Sequence, residues 1–214
     1  MPRLITSIAI IPIAILFLTA CAPGPKQYSI RLTETPYLQT SPSKSVVVNI
    51  RNVTDSREFI PSGDNPDLPQ LATAEKIDPV VISTATAQVR NAFGDVIYDL
   101  FTEKKIIAIV KSAIEESFRR AGYTVSNAAT NATPVDVNII RFWAYNTGGL
   151  VTFQFYFDIS VEMTGDLPVL RKQKKYYSSI KLKSAFGAGS RSFENTINKG
   201  MDKFIRELAA QLLE

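Results

Sequence analysis

Residues 151–163 hold an unbroken two-residue period. Val151, Phe153, Phe155, Phe157, Ile159, Val161 and Met163 alternate with Thr152, Gln154, Tyr156, Asp158, Ser160 and Glu162. Successive side chains of a strand point to opposite faces of its sheet, so this run has one apolar and one polar face. It is a strand whose apolar face must be buried and whose other face meets water. The rest of the chain has to supply the cover.

Two helical stripes can do so. Ile106, Ile107, Val110, Ala113, Ile114, Phe118 and Ala121 recur at three and four residues, with Thr102 expected as the cap, Arg119 and Arg120 in the last turn and Gly122 as the stop. A second stripe, Ile197, Met201, Phe204, Ile205, Leu208 and Leu212, runs from about Ser192 to the end. Further strands are read at Val46, Val48 and Ile50, at Val135, Val137 and Ile139, and from Lys174 to Ala185. Asn146-Thr147-Gly148-Gly149 and the stretch from Gly165 to Pro168 supply turns between them. Val53 to Phe101 is punctuated by Pro61, Gly63, Pro66, Pro69 and Pro79. So long a loop is unusual in a compact domain, so a short strand is expected within Val80 to Val89 and a turn at Gly94. The expected fold is α+β and two-layered: strand, helix, three antiparallel strands, helix, both helices on one face of the sheet.

The N-terminus carries a different signal. Arg3 is the only charge before Cys21, and the apolar run from Leu4 to Thr19 is interrupted by Thr6, Ser7 and Pro12. That is short of the roughly 20 apolar residues that cross a bilayer. A basic start, an apolar run and small residues before a cut make a secretory signal peptide. Leu18-Thr19-Ala20-Cys21 resembles the lipobox of bacterial lipoproteins, which implies a thioether-linked diacylglycerol on Cys21 and a third acyl chain on its amine. The division read from this is a signal peptide, 1–20, an acylated cysteine and tether, 21–44, and a single α+β periplasmic domain, 45–214. Residues 22–44, rich in Pro, Ser and Thr, would reach about 75 Å as an extended tether at ~3.3 Å per residue. Equally, Tyr28, Ile30 and Leu32 alternate as a short edge strand would.

Composition excludes more than it assigns. The chain has no histidine and one cysteine, which removes the commonest general base and neutral metal ligand and any disulfide within one chain. A formal net charge of +4 is too mild to argue for nucleic acid, where a concentrated basic stripe would be expected. No nucleophile with a base, no metal cluster and no phosphate-cradling glycine loop is read, so no enzyme, cofactor or catalytic residue is expected.

The lipobox, the strand ending in Val53-Thr54-Asp55-Ser56-Arg57, the stretch Arg90-Asn91-Ala92-Phe93-Gly94 before Phe101-Thr102-Glu103, and the helix ending Arg119-Arg120-Ala121-Gly122-Tyr123 together resemble the YajG-like family of small bacterial lipoproteins. The three strands and the last helix extend the likeness over nearly all of the mature chain. The fold is also similar to auxiliary lipoproteins of envelope ABC transport systems. These resemblances imply a non-enzymatic accessory or scaffold that presents its domain to a periplasmic envelope protein, or alternatively a lipid- or glycan-binding auxiliary of a transport system. Ala22 stands where, by resemblance to the Gram-negative sorting pattern, an aspartate would retain the protein in the inner membrane. The expected location is therefore the cell envelope, at the outer membrane facing the periplasm if the source is Gram-negative.

Three groups of residues are candidates for function. Asp55 and Arg57 flank Ser56 at a strand end; they fit a pair that orders the following loop better than one that orients a ligand. Asp95, Asp99 and Glu103 are read as favourable charge at a helix entry rather than as a hydrolytic carboxylate pair. On the polar face of the sheet, Tyr156 is expected beside Tyr177, Lys181 and Lys183, with Phe155 and Ile180 marking the core side. Consecutive Ile139 and Ile140 followed by Phe142, Trp143 and Tyr145 predict a bulge that brings Trp143 and Tyr145 to the same face. An aromatic and basic surface of this kind suits anionic head groups, glycan rings or a protein partner. Ordinary cross-strand pairing or burial of Trp143 would also account for it.

Overall fold

The computed structural model describes residues 26–32, 43–72, 78–149, 151–171, 174–184 and 189–213. Cys21 and the expected signal peptide, 1–20, lie outside them. The elements in chain order are β1 (Lys26–Ile30), β2 (Val47–Asp55), β3 (Ile60–Pro61), β4 (Gln70–Leu71), α1 (Pro79–Ile82), β5 (Ala85–Arg90) and β6 (Val96–Thr102). There follow α2 (Ile106–Arg120), β7 (Thr124–Val125), β8 (Thr133–Gly148), β9 (Phe153–Gly165), a 3₁₀ turn at Pro168–Leu170, β10 (Lys174–Ser184) and α3 (Ser190–Gln211).

The fold is organised around β8, whose 16 residues are too long to serve one set of neighbours. On one side it pairs from Val135 to Gly148 with antiparallel β9, which carries antiparallel β10 beyond it. On the other side β8 is shared: its first half pairs in parallel with β2, and Ala144 and Tyr145 near its end pair in parallel with β5. The sheet continues past β2 to β7, and past β5 to β6 and β1. The register of β8 slips between Ile139 and Arg141. An extra residue in one strand inverts the alternation beyond it, so Ile139 and Phe142 both face the core while Arg141 and Trp143 turn outward.

α2 packs on β2, α3 packs on β9 and β10, and the two helices touch each other. Phe155 and Phe157 of β9 are buried, as are Phe118 of α2 and Phe193, Ile197 and Phe204 of α3. The rings of Phe155 and Phe193 meet edge to face, centroids 5.2 Å apart. Gly200 lets α3 lie directly on Phe157 and Ile180. Full burial of each such side chain is worth about 1.5–3 kcal/mol, which is why the apolar stripe of the long strand is the strongest fold signal in the chain.

The architecture is a mixed α+β one, and it corrects several expectations. The simple order of strand, helix, three strands, helix gives way to one in which a β5–β6 hairpin enters the sheet ahead of α2. Pro79 to Ile82 is a helical turn, capped by Asp78 accepting from Val80 N–H at 2.8 Å, and it precedes the strand expected within Val80 to Val89, which is β5 and runs one residue past that window to Arg90. Thr102 does not cap α2; it ends β6, and its hydroxyl lies within hydrogen-bond distance of Thr84 O and Lys104 O. Residues 26–30, in the stretch read either as tether or as edge strand, pair in parallel with β6 from Lys26 opposite Tyr98 to Ile30 opposite Thr102. The outer face of the sheet is not wet throughout. Residues 57–72 cross it and cover β5, the middle of β6 and the part of β8 around Trp143.

Candidate interaction face

The outer face is built from rows of side chains that the strand registers place side by side. Gln88 of β5, Tyr145 of β8, Tyr156 of β9 and Lys181 of β10 are consecutive cross-strand partners. The rings of Tyr145 and Tyr156 stack with planes 7° from parallel and centroids 4.8 Å apart. Lys181 Nζ sits 5.1 Å from the Tyr156 ring centre, within reach of a cation–π attraction. The Tyr156 hydroxyl donates to Gln154 Oε1 at 2.7 Å, and Gln154 lies opposite Lys183. Burial, then the charges of Asp158 and Asp67, push the Tyr145 hydroxyl up to about 12, so it stays protonated.

A second row adds charge. Tyr177, more than half exposed, donates its hydroxyl to Asp158 Oδ1 at 3.1 Å. Asp158 also pairs with Arg141 at 3.0 Å, and Arg141 donates to the carbonyl of Asp67 in the covering segment. Tyr177, Lys181 and Lys183 are exposed and Tyr145 and Tyr156 half-buried, so five of the six residues expected on this face do share it. Trp143 is the correction. The bulge turns it outward as expected, but it is fully buried under residues 57–72, with its ring edge-to-face on Phe59 at 6.0 Å and its indole N–H donating to Pro66 O at 3.1 Å. It anchors that cover and offers no surface.

The cover is pinned by polar groups. Arg57 donates bidentately to Asp55, both contacts at 2.8 Å, and to the carbonyls of Ile82, Ala85 and Phe142. Its side chain is entirely buried, so every one of these bonds is made away from competing water. Further along, Arg90 reaches Gly63 O, Gln70 Oε1, Gln88 Oε1 and Gly94 O, while burial lowers its pKa. Gln88 donates to Ser62 Oγ and Asp99 Oδ1, and Asp99 accepts from Ala72 N–H at 3.2 Å. Burial, outweighing those two hydrogen bonds, holds the Asp99 carboxyl above its ordinary value.

This network corrects the reading of the three acidic residues. Asp95 closes the β5–β6 hairpin with Asn91, Asp99 is buried in mid-strand, and Glu103 faces Arg31 at 3.5 Å. Each lies four positions from the next, along β6 and just past its two ends, about 13 Å at ~3.3 Å per residue, beyond the roughly 5–9.5 Å of a hydrolytic pair. Arg141, Asp158 and Gln88 were not singled out from sequence, and Arg90 entered only through the family resemblance; the alternation around Asp158 was the signal available for one of them. At the opposite end of the long strands lies an open cleft of about 290 Å³ lined by Arg51, Asp136, Asp166 and Arg171 among others, in which Arg51 and Asp136 already satisfy each other. Among the described residues no group of three His, Cys, Asp or Glu has metal-binding geometry, and no helix is long and apolar enough to cross a membrane.

No family model matches the chain, and no curated protein does. Among solved structures it is similar to a Xanthomonas campestris protein of the DUF330 family, at 10% identity over 86% of this chain and 92% of that one, with a TM-score of 0.43. An uncharacterized protein aligns at 8% identity over 86% of this chain and 98% of its own, TM-score 0.44. A candidate lipoprotein from Caulobacter crescentus CB15 aligns at 7% identity over 50% of this chain and 82% of that one, TM-score 0.28. At these scores the likenesses are loose.

Proposed function

We propose that this protein is a non-enzymatic lipoprotein of the bacterial envelope, anchored through acyl chains on Cys21, that presents the outer face of its sheet to a periplasmic protein partner. The observation that carries the reading is the Leu18-Thr19-Ala20-Cys21 sequence at the end of a short apolar leader. Each buried methylene adds about 0.8 kcal/mol, so three chains make a lasting anchor where one makes a marginal one. The order and spacing that resemble YajG-like lipoproteins support the same class, and Ala22 favours the outer membrane if the source is Gram-negative. On the outer face, Tyr177, Lys181 and Lys183 are exposed aromatic and basic groups of one strand, with the Tyr145–Tyr156 stack beside them. They suit an acidic protein surface, since rim charges of this kind steer association.

The alternative, a lipid- or glycan-binding auxiliary of a transport system, draws on the same face. It is the weaker fit because Tyr145 and Tyr156, the rings best placed to sandwich a sugar, already stack on each other. The test is crosslinking in cells, comparing proteins captured by the native chain and by Cys21→Ser. Capture of one envelope protein by the native chain alone supports an anchored accessory; identical capture by both forms contradicts it.

A further inference from the structure

Five residue steps separate Cys21 from Lys26, the first residue of β1. At ~3.3–3.6 Å per residue they span at most about 18 Å, against about 75 Å for a tether running to residue 44. What lies at that end of the sheet therefore lies close to the anchor. Lys26 pairs with Tyr98, two residues into β6, so the chain enters beside the β5–β6 turn at residues 91–95. Gly148 brings the β8–β9 turn onto the same spot: a Cβ there would lie 2.8 Å from Ala92 Cα, so the two hairpin backbones touch. The tips of these adjoining hairpins carry Phe93, 83% exposed, and Val151, 78% exposed, the two most exposed large apolar side chains among the described residues. Gly94 makes the Phe93 turn with φ +93°, so the ring is held out by a defined turn.

We propose that this end of the sheet is a membrane-contacting edge, with Phe93 and Val151 entering the interfacial layer of the bilayer that carries the Cys21 acyl chains. Aromatic and aliphatic groups on a protruding rim gain by leaving water for the headgroup–acyl boundary. Asp95 is the charge at the tip that opposes this, and it is engaged by Asn91. The edge orients the outer face roughly along the membrane normal instead of leaving the domain to tumble on a long leash.

The proposal rests on acylation of Cys21, and the test separates the two. Because Cys21 is the only cysteine and is blocked when acylated, Phe93→Cys, Val151→Cys and Val80→Cys each offer one thiol for an environment-sensitive fluorophore. Val80 is exposed on α1 at the far end of β5. The purified full-length proteins are reconstituted in vesicles of phosphatidylethanolamine and phosphatidylglycerol with headgroup-level spin-labelled lipid, after intact mass has established the state of Cys21. Probes at 93 and 151 are expected to shift to the blue and lose most of their emission to the spin label, while the probe at 80 keeps its own. Acylated protein with unquenched probes at 93 and 151, or with all three quenched alike, overturns the membrane-facing edge and leaves the lipoprotein reading standing. An unmodified Cys21 overturns both.

Discussion

Trp143 donates its indole N–H to the carbonyl of Pro66, 77 residues earlier in the chain, at 3.1 Å. Through that bond a residue facing away from the helices becomes core, because residues 57–72 fold over it. Trp143→Ala should therefore cost about 3–5 kcal/mol, as for other large buried rings. Trp143→Phe, which keeps most of the ring contacts and loses the N–H, should cost clearly less, leaving one carbonyl without its donor. Denaturant melts of the two variants check this; near-native stability of the Ala variant would mean the cover is not packed on the sheet.

Asp99 makes a pH-dependent contribution whose sign is unusual for a carboxylate. Its folded pKa lies above the ordinary value because it is buried. Protonated Asp99 thus favours the fold: the contribution is complete below the unfolded pKa and is lost as pH rises through the folded one. Native protein and Asp99→Asn, which stays neutral throughout, should be closest in relative terms at low pH, and the native chain should lose ground to the variant as pH climbs through that range. Thermal melts across an acid-to-neutral series test this. A difference that stays flat, or one that moves in favour of the native chain, contradicts it.

Gly200 occupies the middle of α3, where Ala would ordinarily gain about 1 kcal/mol in helix propensity. Here a Cβ would fall on the ring of Phe157 and lie 3.0 Å from Ile180 Cγ2. Overpacking of this kind costs about 1–3 kcal/mol, so Gly200→Ala should destabilise despite the propensity gain. A rise in melting temperature would show that α3 does not sit on β9 as described.

On the outer face, Tyr177→Ala combined with Lys181→Gln and Lys183→Gln removes exposed groups and should leave the melt nearly unchanged, since surface substitutions usually lie within about 0.5 kcal/mol. Crosslinking of the periplasmic partner should fall sharply, and the Lys changes alone should matter most at low salt. Undiminished capture at every salt concentration would move the partner surface elsewhere.

The long strand, its partners β8 and β10, and both major helices were legible because burial on one side writes a period of two or of 3.6 directly into the residues. The bulge was legible too, since Ile139-Ile140 breaks a pattern that Phe142 resumes. What escaped was set by contacts distant in sequence. Trp143 looks outward locally and is buried only because Phe59 and Pro66 come to lie on it, and Pro- and Gly-rich segments carry no periodicity to announce that. Likewise Asp99 resembles helix-entry charge until Gln88 and Ala72 are seen to hold it in mid-sheet. β5 reads weakly because it is buried along its whole length, which leaves no alternation for the eye.

The central claim is the anchor on Cys21, and intact mass spectrometry of the mature N-terminus measures it most directly. The account predicts a chain beginning at Cys21 that carries a diacylglyceryl thioether and an amide-linked acyl chain, and a Cys21→Ser chain that is neither acylated nor normally cleaved. A mature chain cleaved at another position, with an unmodified thiol at Cys21, would contradict it.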